Sequence, residues 1–169
     1  MTNLDAALAA LAATRAELLA LVGGLDEAAL DRKGTLGAWS VKNALAHLAA
    51  WEEWVAGVLP ERIASGATPA DFRERAANED RFNALEVAER EELTPDEQIM
   101  ELERIRAELL RYLGTLPPDD LARRKPWPEW DGTVPEYLLA ALDEHEREHL
   151  DALRAALQSL NTTDGGLTA

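Results

Sequence analysis

The sequence contains no cysteine, few basic side chains and no long apolar run, and each absence excludes a class of protein. Without cysteine, the chain forms no disulfide, uses no thiolate nucleophile of its own and holds no Cys-ligated zinc. With 17 basic against 32 acidic side chains and a net charge of −15, it is not expected to bind nucleic acid. Because no apolar run nears the roughly 18 residues of a membrane span and the N-terminus lacks a basic signal region, we expect a soluble cytoplasmic protein.

Strand patterns are also lacking. No segment alternates apolar and polar residues over enough length to predict a strand, whereas apolar residues recur at helical spacing through most of the chain. A length of 169 residues and a hydrophobic content of 47% suit a single core. We therefore predict one all-α domain over residues 1–160 and a flexible C-terminal tail over residues 161–169.

Four helices and one long crossover are predicted from apolar spacing and from helix start and stop residues. The first predicted helix, 3–22, ends before Gly23, and the second, 41–58, begins after Ser40 and is closed by Gly57 and Pro60. The third, 95–113, begins after Thr94 and ends before Gly114. The fourth, 134–160, begins after Thr133. The crossover spans residues 61–93 with a short helix over 78–91, and the Pro-rich stretch 116–132 is predicted to be a structured loop. This arrangement is typical of a four-helix bundle with a long connection between helices two and three.

All three histidines fall on helix faces that are predicted to point inward. His145 and His149 are one turn apart on the fourth helix, and His47 lies on the apolar stripe of the second. Three neutral imidazoles from two helices form a ligand set for a divalent cation and leave coordination positions open. A histidine on an apolar face is also often a plain core residue, and this alternative stays open, although the i, i+4 pair with a third histidine favours a metal site.

Residues 145–149 read His-Glu-Arg-Glu-His, which matches the zinc-protease patterns H-E-x-x-H and H-x-x-E-H. No further Glu or His follows His149 as a ligand, and no strand is predicted to hold a peptide, so we interpret the match as a coincidence. Glu146 and Glu148 are then predicted to be solvated or flanking side chains. Glu144 or Glu148 would be a candidate acceptor for an imidazole N–H.

Five of the nine aromatic residues are tryptophans, and they flank either His47 or the start of the fourth helix. Indole rings would wall an apolar pocket above the imidazoles while their N–H groups meet polar atoms of a ligand. The side chains predicted to line this pocket are Trp51, Trp54, Trp127, Trp130 and Tyr137. The alternative that the tryptophans are ordinary core and loop anchors stays open, and it is preferred for Trp39.

Residues 38–52 read Ala-Trp-Ser-Val-Lys-Asn-Ala-Leu-Ala-His-Leu-Ala-Ala-Trp-Glu and resemble the helix-two signature of the DinB-like superfamily, in which Trp-Ser/Thr-Val-Lys-Asp precedes an Ala-His-Leu step. Asn43 stands where that signature usually has Asp. Residues 125–130 read Lys-Pro-Trp-Pro-Glu-Trp and resemble the ClbS/DfsB branch. The resemblance extends in order and spacing through about residues 3–160.

The resemblance implies an up-down-down-up four-helix bundle, often a homodimer, in which a divalent metal, zinc or nickel, is held by three histidines. The ligands it implies are His47, His145 and His149, the same residues that helical spacing places together. The superfamily includes thiol-dependent transferases that use bacillithiol or mycothiol. The ClbS/DfsB branch implies hydrolytic ring-opening of reactive electrophiles in self-protection.

Two classes of function are consistent with these patterns. The first is a metal-dependent enzyme acting on a small reactive molecule, either a hydrolase or detoxification enzyme with metal-activated water or a thiol-dependent S-transferase. The second is a non-catalytic protein that sequesters a small compound in a Trp-lined pocket. Neither a cysteine nor a fourth histidine is present to close a structural metal site, which favours an open, reactive one. A net charge of −15 disfavours an anionic thiol cofactor.

Overall fold

The computed structural model describes residues 3–67, 70–127 and 130–164, and within these ranges the chain is an all-α bundle, as the sequence predicts. The helices are α1 (Leu4–Val22), α2 (Glu27–Asp31), α3 (Val41–Ser65), α4 (Ala70–Ala77), α5 (Glu79–Glu89), α6 (Pro95–Leu113), α7 (Pro118–Ala122), α8 (Val134–Leu138) and α9 (Glu144–Asp164). A π-helical turn, Leu139–Asp143, joins α8 to α9. The predicted tail falls partly in α9, and residues 165–169 lie outside the described residues.

Three of the four predicted helices begin at the predicted residue, and side-chain capping explains why. The hydroxyls of Ser40, Thr94 and Thr133 each accept a hydrogen bond from the backbone N–H three residues later. The side chain of that later residue in turn accepts a hydrogen bond from the backbone N–H of the cap residue. Such reciprocal bonds satisfy donors that a helix start otherwise leaves unpaired. Pro95 adds a fixed helical φ at the first position of α6.

The predicted end of α3 is wrong. The helix passes through Gly57 and Pro60 and ends at Gly66, whose φ of 71° is the left-handed conformation of a helix C-cap. Proline inside a helix removes one backbone hydrogen bond, but Pro60 is on the exposed side of α3, whereas Leu59 and Arg62 beside it are buried. Packing of that inner face extends α3 beyond its local stop residues.

A short antiparallel hairpin, which the sequence does not predict, precedes the last helix. Strand β1 (Lys125–Trp127) pairs with β2 (Trp130–Gly132), so the stretch interpreted as loop contains two strands and the helix α7. Strands of three residues are too short to show a period of two. At Gly132 a Cβ atom would lie 2.7 Å from Trp130 Nε1, so glycine allows the indole to fold against the backbone.

Hydrogen bonds between the helices show which of them run parallel and which run antiparallel. Between α1 and α6 they join Arg106 to the Leu11 carbonyl and Arg15 to the Leu102 carbonyl. Between α1 and the last helical segment, 134–164, they join Thr14 to Asp143 and Arg154 to Glu17. Between α3 and the same segment they join Arg62 to Tyr137 and His47 to His145. Residue numbers rise along one helix and fall along the other in the pairs that join α1 to α6 and α3 to the last segment, so these helices are antiparallel. In the pairs that join α1 to the last segment, residue numbers rise along both helices, so these two are parallel. The order is therefore up-down-down-up, as expected from the resemblance.

The core consists of two apolar clusters, one toward each end of the bundle. The first contains Leu11, Leu59, Leu109 and Leu138, and the second contains Leu18, Leu45, Leu102 and Leu150. Four buried charged side chains fall between the two clusters on their respective helices: Arg15 on α1, Glu52 on α3, Arg106 on α6 and Glu146 on α9. Along the bundle, the core thus consists of one apolar cluster, a layer of buried charged side chains and a second apolar cluster.

Candidate metal centre

The three histidines come together in the structure. His47 extends from the second turn of α3, and His145 and His149 extend from successive turns at the start of α9, which runs antiparallel to α3. The ring centroids of the three imidazoles lie between 4.7 and 5.0 Å apart. Two long helices therefore bring the complete histidine content of the chain to one place.

The imidazoles face each other through nitrogen atoms. His145 Nε2 lies 3.0 Å from His47 Nε2 and 3.2 Å from His149 Nε2, and one ligand atom from each ring falls within 4.8 Å of the others. For comparison, a tetrahedron with zinc–nitrogen bonds of about 2.0 Å has edges of about 3.3 Å. The nitrogen atoms are thus spaced closely enough to share one cation.

Burial holds all three imidazoles in the neutral form that metal ligation requires. Desolvation, with repulsion from the charged forms of His149 and His145, lowers the pKa of His47 to about 3. Desolvation and His149 lower the pKa of His145 to about 4, and desolvation also lowers the pKa of His149, opposed by the nearby carboxylate of Glu148. At neutral pH the site therefore presents lone pairs rather than positive charge.

The donor set fits a divalent transition-metal cation. Imidazole nitrogen is a common ligand of such ions, and three neutral ligands preserve the charge of the ion. Each neutral imidazole carries one proton, so the close Nε2 contacts are met either by N–H···N hydrogen bonds or by one shared cation. The buried Nδ1 of His47 has no hydrogen-bond partner within the described ranges.

A cavity of about 300 Å³ opens beside the histidines, with His145 in its wall. Its aromatic lining consists of Trp51, Trp54, Trp130 and Tyr137, and Arg62 also faces it. The Trp51 ring lies 6.0 Å from His145 and 5.0 Å from Trp54, which stands edge-on to it. Four of the five side chains predicted to line a pocket thus do line one next to the histidines.

Trp127 is placed elsewhere. Its side chain is buried in the core, its Nε1 donates to the Arg62 carbonyl at 2.9 Å, and its ring stands edge-on to Tyr137 at 5.2 Å. These contacts put Trp127 behind the cavity wall, and its predicted contact with substrate stays a prediction. Trp39 lies 5.1 Å from the ring of His47, on the histidine cluster itself.

The glutamates beside His145 and His149 on α9 do not all lie where the sequence predicts. Glu144 and Glu148 are exposed, and neither makes a hydrogen bond to an imidazole in the part of the chain that the structure describes. The prediction that Glu146 is solvated is wrong, because it is 2% exposed and ion-paired in the core. Since both oxygens of Glu146 are held by arginines, it does not have the free carboxylate of a protease base.

The ionic cluster around Glu146 is the main feature near the site that sequence reasoning missed. Arg15 donates to Glu146 at 2.6 and 3.0 Å and to Glu52 at 2.7 Å, while Arg106 contacts Glu146 at 2.9 Å and also pairs with Glu52. Burial alone would lower the pKa of Arg15, but its carboxylate partners outweigh this and raise it. The signal was available in Arg106, a charged residue on the apolar stripe of its helix.

Glu52 and Glu146 each follow a site residue directly in sequence, Trp51 and His145 respectively. The ionic cluster thus links the four long helices and lies next to the site residues along α3 and α9. Asn43 is not at the histidines. Its amide caps α3 and contacts Lys33 and Glu91 instead.

Among the described helices, none combines the length and the apolar character needed to cross a membrane. No curated protein and no solved structure matches the chain. The family model of the DinB superfamily matches residues 10–153, a range that includes α3, α9 up to its middle and all three histidines. This match covers most of the chain, and the chain therefore belongs to the DinB superfamily.

Proposed function

We propose that the chain is a metal-dependent enzyme that acts on a small reactive molecule, with His47, His145 and His149 as the metal ligands. The observation that carries this proposal is the convergence of three neutral imidazoles at the wall of an aromatic cavity. Structural metal sites are normally closed by four protein ligands, whereas three ligands leave a position for water or substrate. The aromatic cavity has His145 in its wall, so a substrate bound there would approach the ligand set from the side of this histidine.

A divalent cation such as zinc or nickel would supply Lewis-acid chemistry and lower the pKa of a water molecule to about 7. The chain itself supplies binding and shape. Trp51, Trp54 and Trp130 present apolar faces that would hold the substrate and keep bulk water from it. Arg62 donates to the Tyr137 hydroxyl at 2.7 Å, which fixes that phenol in the wall.

The cavity wall is not uniformly apolar. Besides the aromatic rings, the charged side chains of Arg62 and Glu79 line it. The substrate is therefore expected to combine an apolar body of modest size with a polar group that meets these side chains.

Metal analysis tests the first part of the proposal. Protein without a His tag, purified and dialysed, is analysed for bound metals alongside His145→Ala and the exposed α9 control Asp151→Ala. We expect about one divalent ion per chain in the wild type and the control, and almost none in His145→Ala. Negligible metal in all three proteins after zinc or nickel addition would refute the metal site and favour a sequestering protein.

Turnover assays test the second part. Epoxide and cyclopropane electrophiles are offered with and without chelator, and separately with bacillithiol or mycothiol as thiol donor. Hydrolysis that stops with chelator supports the proposed enzyme, whereas turnover that needs the thiol identifies an S-transferase. A turnover rate that is the same with and without chelator would overturn the metal mechanism.

A further inference from the structure

Two charged side chains line the cavity, and their surroundings differ. Arg62 is 1% exposed and donates to the Tyr137 hydroxyl at 2.7 Å. Its guanidinium carbon lies over two rings, 5.2 Å from the centroid of Tyr137 and 5.4 Å from that of Trp127. The charge of Arg62 is therefore directed into the wall, where a phenol and two aromatic faces stabilise it. Glu79, by contrast, is exposed and makes no hydrogen bond or ion pair with any residue that the structure describes.

The face of α5 that carries Glu79 packs against two tryptophans of the cavity. Phe82 and Asn83 follow Glu79 by three and four residues, so the three side chains share one face of the helix. The Phe82 ring lies 5.0 Å from that of Trp51 and 5.9 Å from that of Trp54. Asn83 Oδ1 accepts a hydrogen bond from Trp51 Nε1 at 2.8 Å. These contacts hold the start of α5 at the cavity, with Glu79 in its wall.

The aromatic part of the wall suits a cation. The face of an aromatic ring is its negative side, and among the aromatic side chains tryptophan attracts a cation most strongly. The indoles of Trp51, Trp54 and Trp130 line the cavity together with Glu79. The net charge of −15 adds a field that draws cations toward the protein and repels anions. Local and overall electrostatics thus favour the same sign of ligand charge.

We propose that the cavity selects substrates that carry a protonated amine on an apolar body, and that Glu79 is the residue that determines this selectivity. The ammonium group pairs with the Glu79 carboxylate and contacts the indoles, while the apolar body extends toward His145. Because an ammonium group and a metal ion repel each other, the amine lies at the Glu79 end of the cavity and the reacting group at the His145 end. The inference rests on the proposed function, since it takes the cavity to be the place where the substrate binds.

Three compounds that differ in one group test the selectivity. At neutral pH 2-(2-naphthyl)ethylamine is a cation, 2-(2-naphthyl)ethanol is neutral and 2-naphthylacetate is an anion. Their Kd values for the full-length chain are measured by NMR titration, on the protein as purified and again after treatment with chelator, because amines and carboxylates also ligate metals. We expect the amine to bind about 10-fold more tightly than the alcohol, and the acetate to bind most weakly.

Glu79→Gln keeps the size of the side chain and removes its charge. The affinity for the amine is expected to fall by about 3–5-fold, whereas the affinity for the alcohol should stay that of the wild type. The matched control is Asp80→Asn, which changes the net charge equally in the same exposed turn. Among the described residues, Asp80 is not part of the cavity wall, so this variant should bind all three compounds like the wild type. Circular dichroism verifies that both variants fold.

The inference fails if the wild type binds the amine no more tightly than the alcohol, or if it binds the acetate most tightly. The latter result would assign charge selection to Arg62. It also fails if Glu79→Gln keeps the full preference for the amine, or if Asp80→Asn loses as much of it, because overall charge would then explain the effect. Failure of all three compounds to bind would show that the cavity accepts no aromatic body, and would refute the inference as well.

Metal analysis and these titrations separate the inference from the proposed function. A chain that binds metal but shows no preference for the amine keeps the proposed function and loses the role of Glu79. A chain that prefers the amine but binds no metal loses the proposed enzyme and keeps a cavity that selects amines.

Discussion

Arg15 on α1 and Glu146 on α9 join the first and last helices of the bundle, with Nε and Oε1 2.6 Å apart and both side chains buried. The pair belongs to a cluster of two arginines and two glutamates, so the buried charges balance. Desolvating an ion is expensive, and the cost is offset only when partners and hydrogen bonds are well placed. Both arginines also donate to backbone carbonyls of the opposite helix.

Removing one carboxylate from this cluster should strongly destabilise the fold. In Glu146→Ala, both guanidinium groups lose a partner while remaining buried, and breaking such a pair typically costs about 3–5 kcal/mol of unfolding free energy. Urea unfolding followed by circular dichroism measures the change. Asp131→Ala, which removes an exposed pair with Arg124, is the control and should leave the urea midpoint unchanged. A midpoint for Glu146→Ala equal to that of the wild type would contradict the structural role of the cluster.

Metal should stabilise the native protein by mass action, because an assembled three-histidine site does not exist in the unfolded chain. At free zinc 100 times the Kd, the expected gain is about 2.7 kcal/mol, which raises Tm by about 5–10 °C for a chain of this size. Differential scanning calorimetry with zinc or with chelator measures it. His149→Ala should abolish the shift, and a shift of the same size in that variant would place the metal elsewhere.

Trp127 and Trp130 should respond differently to removal. Trp127 is buried and bonded to the Arg62 carbonyl, so Trp127→Ala is expected to cost about 3–5 kcal/mol of unfolding free energy. Trp130 is half-buried in the cavity wall, so Trp130→Ala should cost less stability and more ligand affinity. Tm and the binding of a hydrophobic fluorescent probe are measured on both variants. A stable Trp127→Ala that fails to bind the probe would instead restore Trp127 to the site.

Gly57 and Gly66 test the length of α3. A methyl group at Gly57 meets nothing within 4 Å and lies inside the helix, so Gly57→Ala should stabilise the protein by about 1 kcal/mol. Gly66 has a φ of 71°, so Gly66→Ala should destabilise it by about 1–2 kcal/mol. Opposite shifts in the urea midpoint are expected. Destabilisation by Gly57→Ala would show that α3 ends near Gly57, as the sequence predicts.

Much of the framework could be predicted because its signals are local. Cap residues such as Ser40, Thr94 and Thr133 act on backbone groups within one turn, so they mark helix starts without reference to the rest of the chain. The pairing of His145 with His149 is likewise a property of one helix. The addition of His47 required only that two apolar stripes face a common core.

The features that could not be predicted depend on contacts between distant segments. Glu146 has the local sequence of a solvated helix face, and only its partners Arg15 and Arg106, far away along the chain, make its burial favourable. Pro60 reads as a helix stop until the packing of its neighbours is known.

The hairpin of β1 and β2 brings Trp130 to the cavity, whereas the histidines stand on long helices tied together by the ionic cluster. Under the proposed function, the cavity wall is therefore shared between two kinds of segment: Trp51 and Trp54 stand on α3 with His47, whereas Trp130 comes from a hairpin that carries no histidine. A longer or shorter hairpin would reshape the Trp130 side of the cavity and leave the spacing of the three histidines to the long helices.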